Sequence, residues 1–262
     1  MLKFLLTPKW IALTLIAILL QPALYSLSQW QWRRLHEREL YNSGIIKNEQ
    51  HPPVSLVSVL ENTSDASHLL VDTDRQWTTV ALNGTWEANG QVLVRKQSYE
   101  SNLGFWVVTP FQDLNGQTIL INRGWTPAGS SALASPKLQP PPEGLVSVTG
   151  RLRLIAPRDN PKPVDLPAGQ VDRIQPTEVT QATPIVSNGY LELISSTPES
   201  MTSELQPILP PEITEGPHRS YAWQWMIFAV MTLIGYGILV RKEIVTNRET
   251  KSAPDTASAA SE

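Results

Sequence analysis

The residues best suited to do chemistry stand at the edge of an apolar run. The stretch "EGPHRSYAWQWMIFAV" begins at Glu215 and sets one imidazole, His218, where the chain turns apolar. At 100° per residue, His218, Tyr221, Ala222, Trp225 and Phe228-Ala229 share one helical stripe. Neutral imidazole is a common haem ligand. A single histidine with Tyr221 and Trp225 below it would therefore suit an iron porphyrin held loosely enough to be released. The plainer role is an interfacial histidine bonded to lipid headgroups or to Tyr221. Gln224 lies off that stripe, about 240° around the helix. It is expected either to help shape the pocket or to bond across to another helix.

Two further groups invite a chemical reading. In "INRGW", which ends a predicted strand, Gly124 turns the chain between Arg123 and Trp125. Arg123 then either caps carbonyls in a structural corner or offers its planar fork to a carboxylate, such as a haem propionate. In "SQWQWRRLHERE", Gln29, Trp32, Arg33 and His36 share one helix face, which could meet a second helix or a partner. His36 is a second-ligand candidate, although an exposed histidine is the plainer role. No two of the four histidines (His36, His51, His68, His218) fall at an HxxxH spacing, so a conventional zinc site is not expected. The absence of cysteine excludes disulfides, thiolate sites and CxxCH attachment. No GxSxG, phosphate-binding glycine loop or HExxH occurs, and acid pairs such as Asp72/Asp74 read as a solvated face, so an enzyme is not expected.

The elements that must position these residues are unevenly composed. Ala222–Val240 is a run of 19 residues without a charge, long enough to span about 28 Å as a helix. Tyr221, Trp223 and Trp225 mark an interface belt, Arg241-Lys242 stop the run, and Pro217 fits the first helical turn. A second candidate runs from Trp10 to Leu27, read as an uncleaved anchor; the alternative is a leader cleaved near Ser26-Leu27-Ser28. Lys3 and Lys9 precede the first span and Arg241 and Lys242 follow the second, so both termini read as cytoplasmic. Arg33, Arg34 and Arg38 argue the other way, but they head a long loop that translocates largely regardless of charge.

Residues 31–216 hold 20 acids and 14 Lys/Arg, a net charge of −6 within a chain of −3 overall. This balance gives no nucleic-acid footprint. Short β-branched and aromatic runs predict strands at Thr78–Trp86, Gln91–Gln97, Gly104–Gln112, Gln117–Trp125, Gly144–Ile155 and Tyr190–Ile194. Asn83-Gly84, Asn89-Gly90, Asn102 to Gly104 and Asn115-Gly116 serve as turns between consecutive hairpins. Five or six such strands make a small barrel or twisted sheet. Residues 127–143 and 156–189 read as loops, in a region where 16 of the 22 prolines lie between Pro127 and Pro217. Residues 32–47 suit a helix continuing out of the first span. The tail after Lys251 is small and polar, and no fixed structure is expected there.

Fold class is thus α+β. Residues 10–31 and 218–240 are transmembrane helices, 32–217 an extracytoplasmic antiparallel β-rich domain, and 1–9 and 241–262 cytoplasmic ends.

In order along the chain, Gln29-Trp30-Gln31, "GFWVVTP" (Gly104–Pro110), "INRGWTP" (Ile121–Pro127) and "EGPHRSYAWQWMIFA" (Glu215–Ala229) resemble the Surfeit-locus cytochrome c oxidase assembly factor family, known as Shy in yeast. The resemblance implies a non-enzymatic factor for haem-copper oxidases. It would bind haem a, with His218 as proposed ligand and Tyr221, Gln224, Trp225 and Arg123 as candidate contacts. Its partners would be the large oxidase subunit and the haem a synthesis machinery. Its place would be the bacterial plasma membrane, or the inner mitochondrial membrane in a eukaryote. The alternative is a scaffold that holds an oxidase intermediate without a cofactor. The chain departs from the family pattern at Gln97, where an arginine is usual and Arg95 stands two residues earlier. It departs again at Arg219, where an apolar residue is common.

Overall fold

The computed structural model describes residues 3–49, 51–61, 67–129, 136–156 and 165–252; the tail beyond 252 lies outside them. The chain divides into two compact units, Met1–Asn42 with Ile213–Glu262, and Ser43–Glu212.

The first unit is built on two helices, α1 (Pro8–Glu49, whose last turns belong to the second unit) and α3 (His218–Ser252). Both are long and apolar enough to cross a membrane. The buried positions of α1 in this unit are Trp10, Ala17, Leu24, Ser28, Gln31, Leu35 and Asn42. They recur in steps of three, four and seven, the seam of one helix lying along another. Polar contacts cross this seam in antiparallel order. The Thr14 hydroxyl meets the Tyr236 hydroxyl at 2.5 Å, Gln21 Nε2 donates to Ala229 O at 3.4 Å, and Ser28 Oγ donates to Ala222 O at 3.0 Å. Small partners such as Ala222 and Ala229 let the backbones approach.

The seam lies on a different face from the one expected. Of the Gln29, Trp32, Arg33 and His36 set, Trp32 packs edge-on against Trp223 at 6.3 Å, while Arg33 and His36 are exposed. Gln224 is exposed as well and makes no hydrogen bond to α1 among the described residues. The glutamines that cross stand on α1: Gln21 reaches Ala229 O, and Gln31 reaches His218, the first residue of α3.

Among the described residues, the second unit holds eight strands. Five close a ring: β2 (Thr79–Trp86), β4 (Asn102–Asp113), β5 (Thr118–Pro127), β8 (Ile185–Thr197) and β6 (Val146–Leu154), with β6 returning to β2. All contacts around the ring are antiparallel except β5 with β8. β3 (Val92–Tyr99) pairs with the first half of β4, and two short strands, β1 (His68–Leu69) and β7 (Gln170–Val171), lie parallel to β8 and β3. The interior is apolar: Val80, Leu82, Phe111, Ile119, Ile121, Val148, Leu152, Leu191 and Leu193 pack into one cluster. The other face of β5 is covered too, because Leu120 packs with Val94, Val108, Ile174 and Tyr190.

The six predicted strands are all present, but some turns are not where the sequence placed them. Asn83-Gly84 lies inside β2. Gly84 pairs with Val146 on one side and Asp113 on the other, and a Cβ there would sit 1.9 Å from Gln112 O. Glycine serves here for close approach of backbones that shut the ring, not for a turn. Asn89-Gly90 does lie between β2 and β3, yet those strands are not neighbours, since β4 stands between them. The β3–β4 turn is Glu100-Ser101, both at positive φ (47° and 68°), and Asn102 already belongs to β4. Asn115-Gly116 turns as expected, with Gly116 at φ +80° and the Asp113 carboxylate accepting from Asn115 and Gln117 backbone N–H groups. The segment 156–189 is not only loop: it contains β7, the one-turn helix α2 (Pro176–Val179) and the first residues of β8.

Candidate functional site

Around His218, the Thr214 carbonyl accepts from Arg38 Nε and from Asn42 Nδ2, each at 3.1 Å, which ties the segment entering α3 to α1. Gly216 follows at φ +64°, a conformation other residues adopt only with strain. Its backbone N–H donates to Thr214 Oγ1 at 3.1 Å. The helix then begins, with Tyr221 N bonding to Pro217 O at 3.1 Å. His218 is half-buried, and its Nδ1 lies 2.8 Å from Oε1 of Gln31, a buried residue of the seam. Nε2 has no protein partner among the described residues. A Cβ built on Gly216 would lie 3.7 Å from that Nε2, so the glycine leaves room beside it.

His218 forms one wall of a cleft of about 340 Å³, lined also by Arg34, Glu37, Arg38, Tyr41, Thr214 and Gly216. Arg34 pairs with Glu37 at 2.8 Å, both exposed, a contact worth little in water and easily exchanged for another anion. Arg38 keeps its terminal nitrogens beyond the Nε committed to Thr214, and its guanidinium lies over the Tyr41 ring at 5.3 Å. The cleft thus combines one uncommitted imidazole nitrogen with two guanidinium groups.

The expected site residues fall into separate places. On α3, Ala222 is buried in the seam, Trp225 is half-buried with its Nε1 unpartnered, and Tyr221 is exposed. Gln224 is exposed off that stripe. His36 is exposed, 3.9 Å from Glu39, and does not line the cleft. Among the described residues no group of His, Asp or Glu is arranged to hold a metal ion by itself.

Arg123 belongs to the barrel unit. β5 does not end at "INRGW" but runs on through Pro127. Val107 pairs with Gly124 and Val108 with Asn122, so Arg123 is the extra residue of a bulge. Its guanidinium is fully buried. Nη1 donates to Gln91 Oε1 at 2.9 Å, Nη2 to Ser200 O at 2.5 Å, and the Trp86 ring lies 5.6 Å away. Burial holds its pKa down to about 10. Of the two roles the sequence left open, capping carbonyls in a corner is the one these contacts fill.

Gln31, Arg34, Arg38, Thr214 and Gly216 were not expected as site residues. The signal that could have found them is the seven-residue spacing of Thr14, Gln21 and Ser28 in an otherwise apolar run. Polar groups in such a run belong on the face turned to protein, and so define the face on which Gln31 follows.

A model described as the SURF1 family matches residues 18–230. An uncharacterized SURF1-like protein of Mycobacterium bovis is 30% identical over 257 residues, covering 96% of this chain and 90% of the relative. A SURF1-like protein of Rickettsia bellii is 26% identical over 238 residues, 86% and 90% of the two chains. The matched stretch takes in every residue of the cleft and the whole closed barrel. With that coverage, the chain belongs to the SURF1 family, known broadly as assembly factors, not catalysts, for cytochrome oxidase.

Proposed function

We propose that this protein receives haem a at the His218 cleft and gives it up to the large subunit of a haem-copper oxidase. The helical pair would be a membrane hairpin, with both termini cytoplasmic and the barrel on the outer side. The haem a synthesis machinery would be the donor. The observation that carries the reading is a lone imidazole on a cleft wall, with one nitrogen held by protein and the other unpartnered.

The residues fit the group in kind. An imidazole nitrogen is a haem-iron donor. Guanidinium forks suit carboxylates, and Arg34 and Arg38 stand in the same cleft. A volume of about 340 Å³ is at the small end of ligand pockets, which favours partial enclosure and release over permanent retention. When bound, the haem supplies an iron centre and two carboxylates. The chain's own part is to ligate with His218 and to balance charge with Arg34 and Arg38. Tyr221 and Trp225, about one turn and two turns into α3, would offer aromatic surface to the macrocycle. Arg123 has no part in this reading, because its guanidinium is fully buried, with Nη1 and Nη2 bonded inside the barrel.

The test is to purify the full chain in detergent from cells making haem a and record the visible spectrum, then repeat with His218→Ala. A Soret band in the parent that is lost or shifted in the variant supports the carrier. No band, or the same band in both, leaves a cofactor-free scaffold for an oxidase intermediate as the better reading.

A further inference from the structure

We infer that Gln31 is a positioning residue for His218: its side-chain oxygen takes the Nδ1–H and so reserves Nε2, with its lone pair, for a ligand. The inference takes its purpose from the carrier reading and its geometry from the helical hairpin alone.

Gln31 is buried on the α1 seam, next in line after Thr14, Gln21 and Ser28. Those three contacts reach a hydroxyl or a backbone carbonyl and hold two helices together. Gln31 instead reaches an imidazole, with Oε1 at 2.8 Å from Nδ1. An amide oxygen can only accept, so the ring nitrogen facing it must donate. In a neutral imidazole a proton on Nδ1 leaves Nε2 bare, and the bare nitrogen is the one that ligates metal. Histidines that bind metal usually pass their other N–H to an oxygen in this way, which fixes the ring's tautomer and angle and raises its basicity.

The surroundings keep both halves of the arrangement. On the Nδ1 side, Ser28, Leu35 and Ala222, each about one turn from Gln31 or His218 along its helix, are buried. On the Nε2 side Gly216 presents no side chain. The Thr214 carbonyl, gripped by Arg38 and Asn42, fixes where the chain enters α3 and so where the ring can stand.

The experiment uses the full chain in detergent micelles, labelled with ¹⁵N-histidine, at about pH 8 where imidazole is neutral. Long-range ¹⁵N–¹H correlation reads each ring's tautomer, and His218→Ala assigns the His218 signals among the four histidines. The parent should show His218 as Nδ1–H. Gln31→Leu, similar in size but without an acceptor, should lose that preference, and Gln31→Glu, which keeps an oxygen in place, should retain it. Titration with haem a should show affinity falling about 10- to 100-fold in Gln31→Leu and staying near the parent's in Gln31→Glu. An Nε2–H tautomer in the parent, with the amide turned to donate, overturns the inference. So does haem affinity that is lost in His218→Ala but unchanged in Gln31→Leu. Affinity unchanged in both variants overturns the ligand reading itself, and with it the purpose given to Gln31.

Discussion

Arg123 in the barrel and His218 in the helical hairpin are the two residues the sequence marked most plainly, and they end in opposite conditions. Arg123 is wholly enclosed, two of its nitrogens committed to Gln91 and Ser200, with Trp86 over its plane. His218 is half-buried, one nitrogen committed and one not, on the wall of a cleft. Both are polar groups at the edge of apolar surroundings. A buried guanidinium with both terminal nitrogens bonded inside the barrel, and Nε alone left without a partner, holds a fold together. A partly satisfied imidazole beside open space is where a ligand can add. The lesson is that a recognition-ready residue type says little until its donors and acceptors have been accounted for.

The largest effect expected is at the ring closure that makes Arg123's enclosure possible. Gly84→Ala drives a Cβ to 1.9 Å from Gln112 O and 2.7 Å from a Phe111 ring atom, so β2 cannot keep both neighbours. A loss of more than about 4 kcal/mol is expected in the thermal or denaturant unfolding of the full chain. Gly116→Ala, at φ +80° with nothing within 4 Å, should cost only the backbone strain of about 1–2 kcal/mol. Equal losses at the two glycines would break the closure argument.

Next, Arg123→Met leaves Ser200 O without its side-chain donor and Gln91 Oε1 with only the Thr109 hydroxyl, and should cost on the order of 3 kcal/mol in the same measurement. Haem a binding should survive wherever the variant is folded. A variant of native stability that loses the Soret band would erase the contrast between the two residues.

A pH test probes the barrel from another side. Burial, with Glu192 adding and Arg153 opposing, pushes the Tyr190 phenol from 10.0 up to about 12. The unfolded chain gives up this proton near pH 10 while the folded chain keeps it. Stability should therefore fall as pH rises through 10 to 12, by roughly 2 kcal/mol, and Tyr190→Phe should remove that part of the slope. A slope unchanged in the variant would mean the phenol is not enclosed as described.

The smallest effect belongs to the hairpin. Ser28→Ala removes the hydroxyl that reaches Ala222 O and should weaken helix association by about 0.6 kcal/mol, read by steric trapping or unfolding in micelles. A much larger loss would mean the polar seam dominates the pairing.

Much of this arrangement was legible because it is local. Two uncharged runs gave α1 and α3, and β-branched runs gave the six long strands. What failed was non-local. Asn83-Gly84 has turn chemistry, but the same glycine answers to two strands brought beside it by the ring, and no neighbour in sequence signals that. β1 and β7, two residues each, are strands only because β8 and β3 offer them partners. On α1 the face through Gln29, Trp32, Arg33 and His36 is one residue out of register with the buried seam through Ser28 and Leu35, and nothing within residues 29–36 sets that register. Gln31, Arg34 and Arg38, and with them the cleft, follow from the register, whereas His218 stands in plain view.

Coordination by His218 is most directly tested by resonance Raman spectra of haem a bound to the full chain carrying ordinary or ¹⁵N-labelled histidine. The account predicts an iron–nitrogen stretch that shifts to lower frequency on labelling, disappears in His218→Ala and persists in His36→Ala. A bound haem whose spectrum ignores the label, or keeps its stretch without His218, would contradict it.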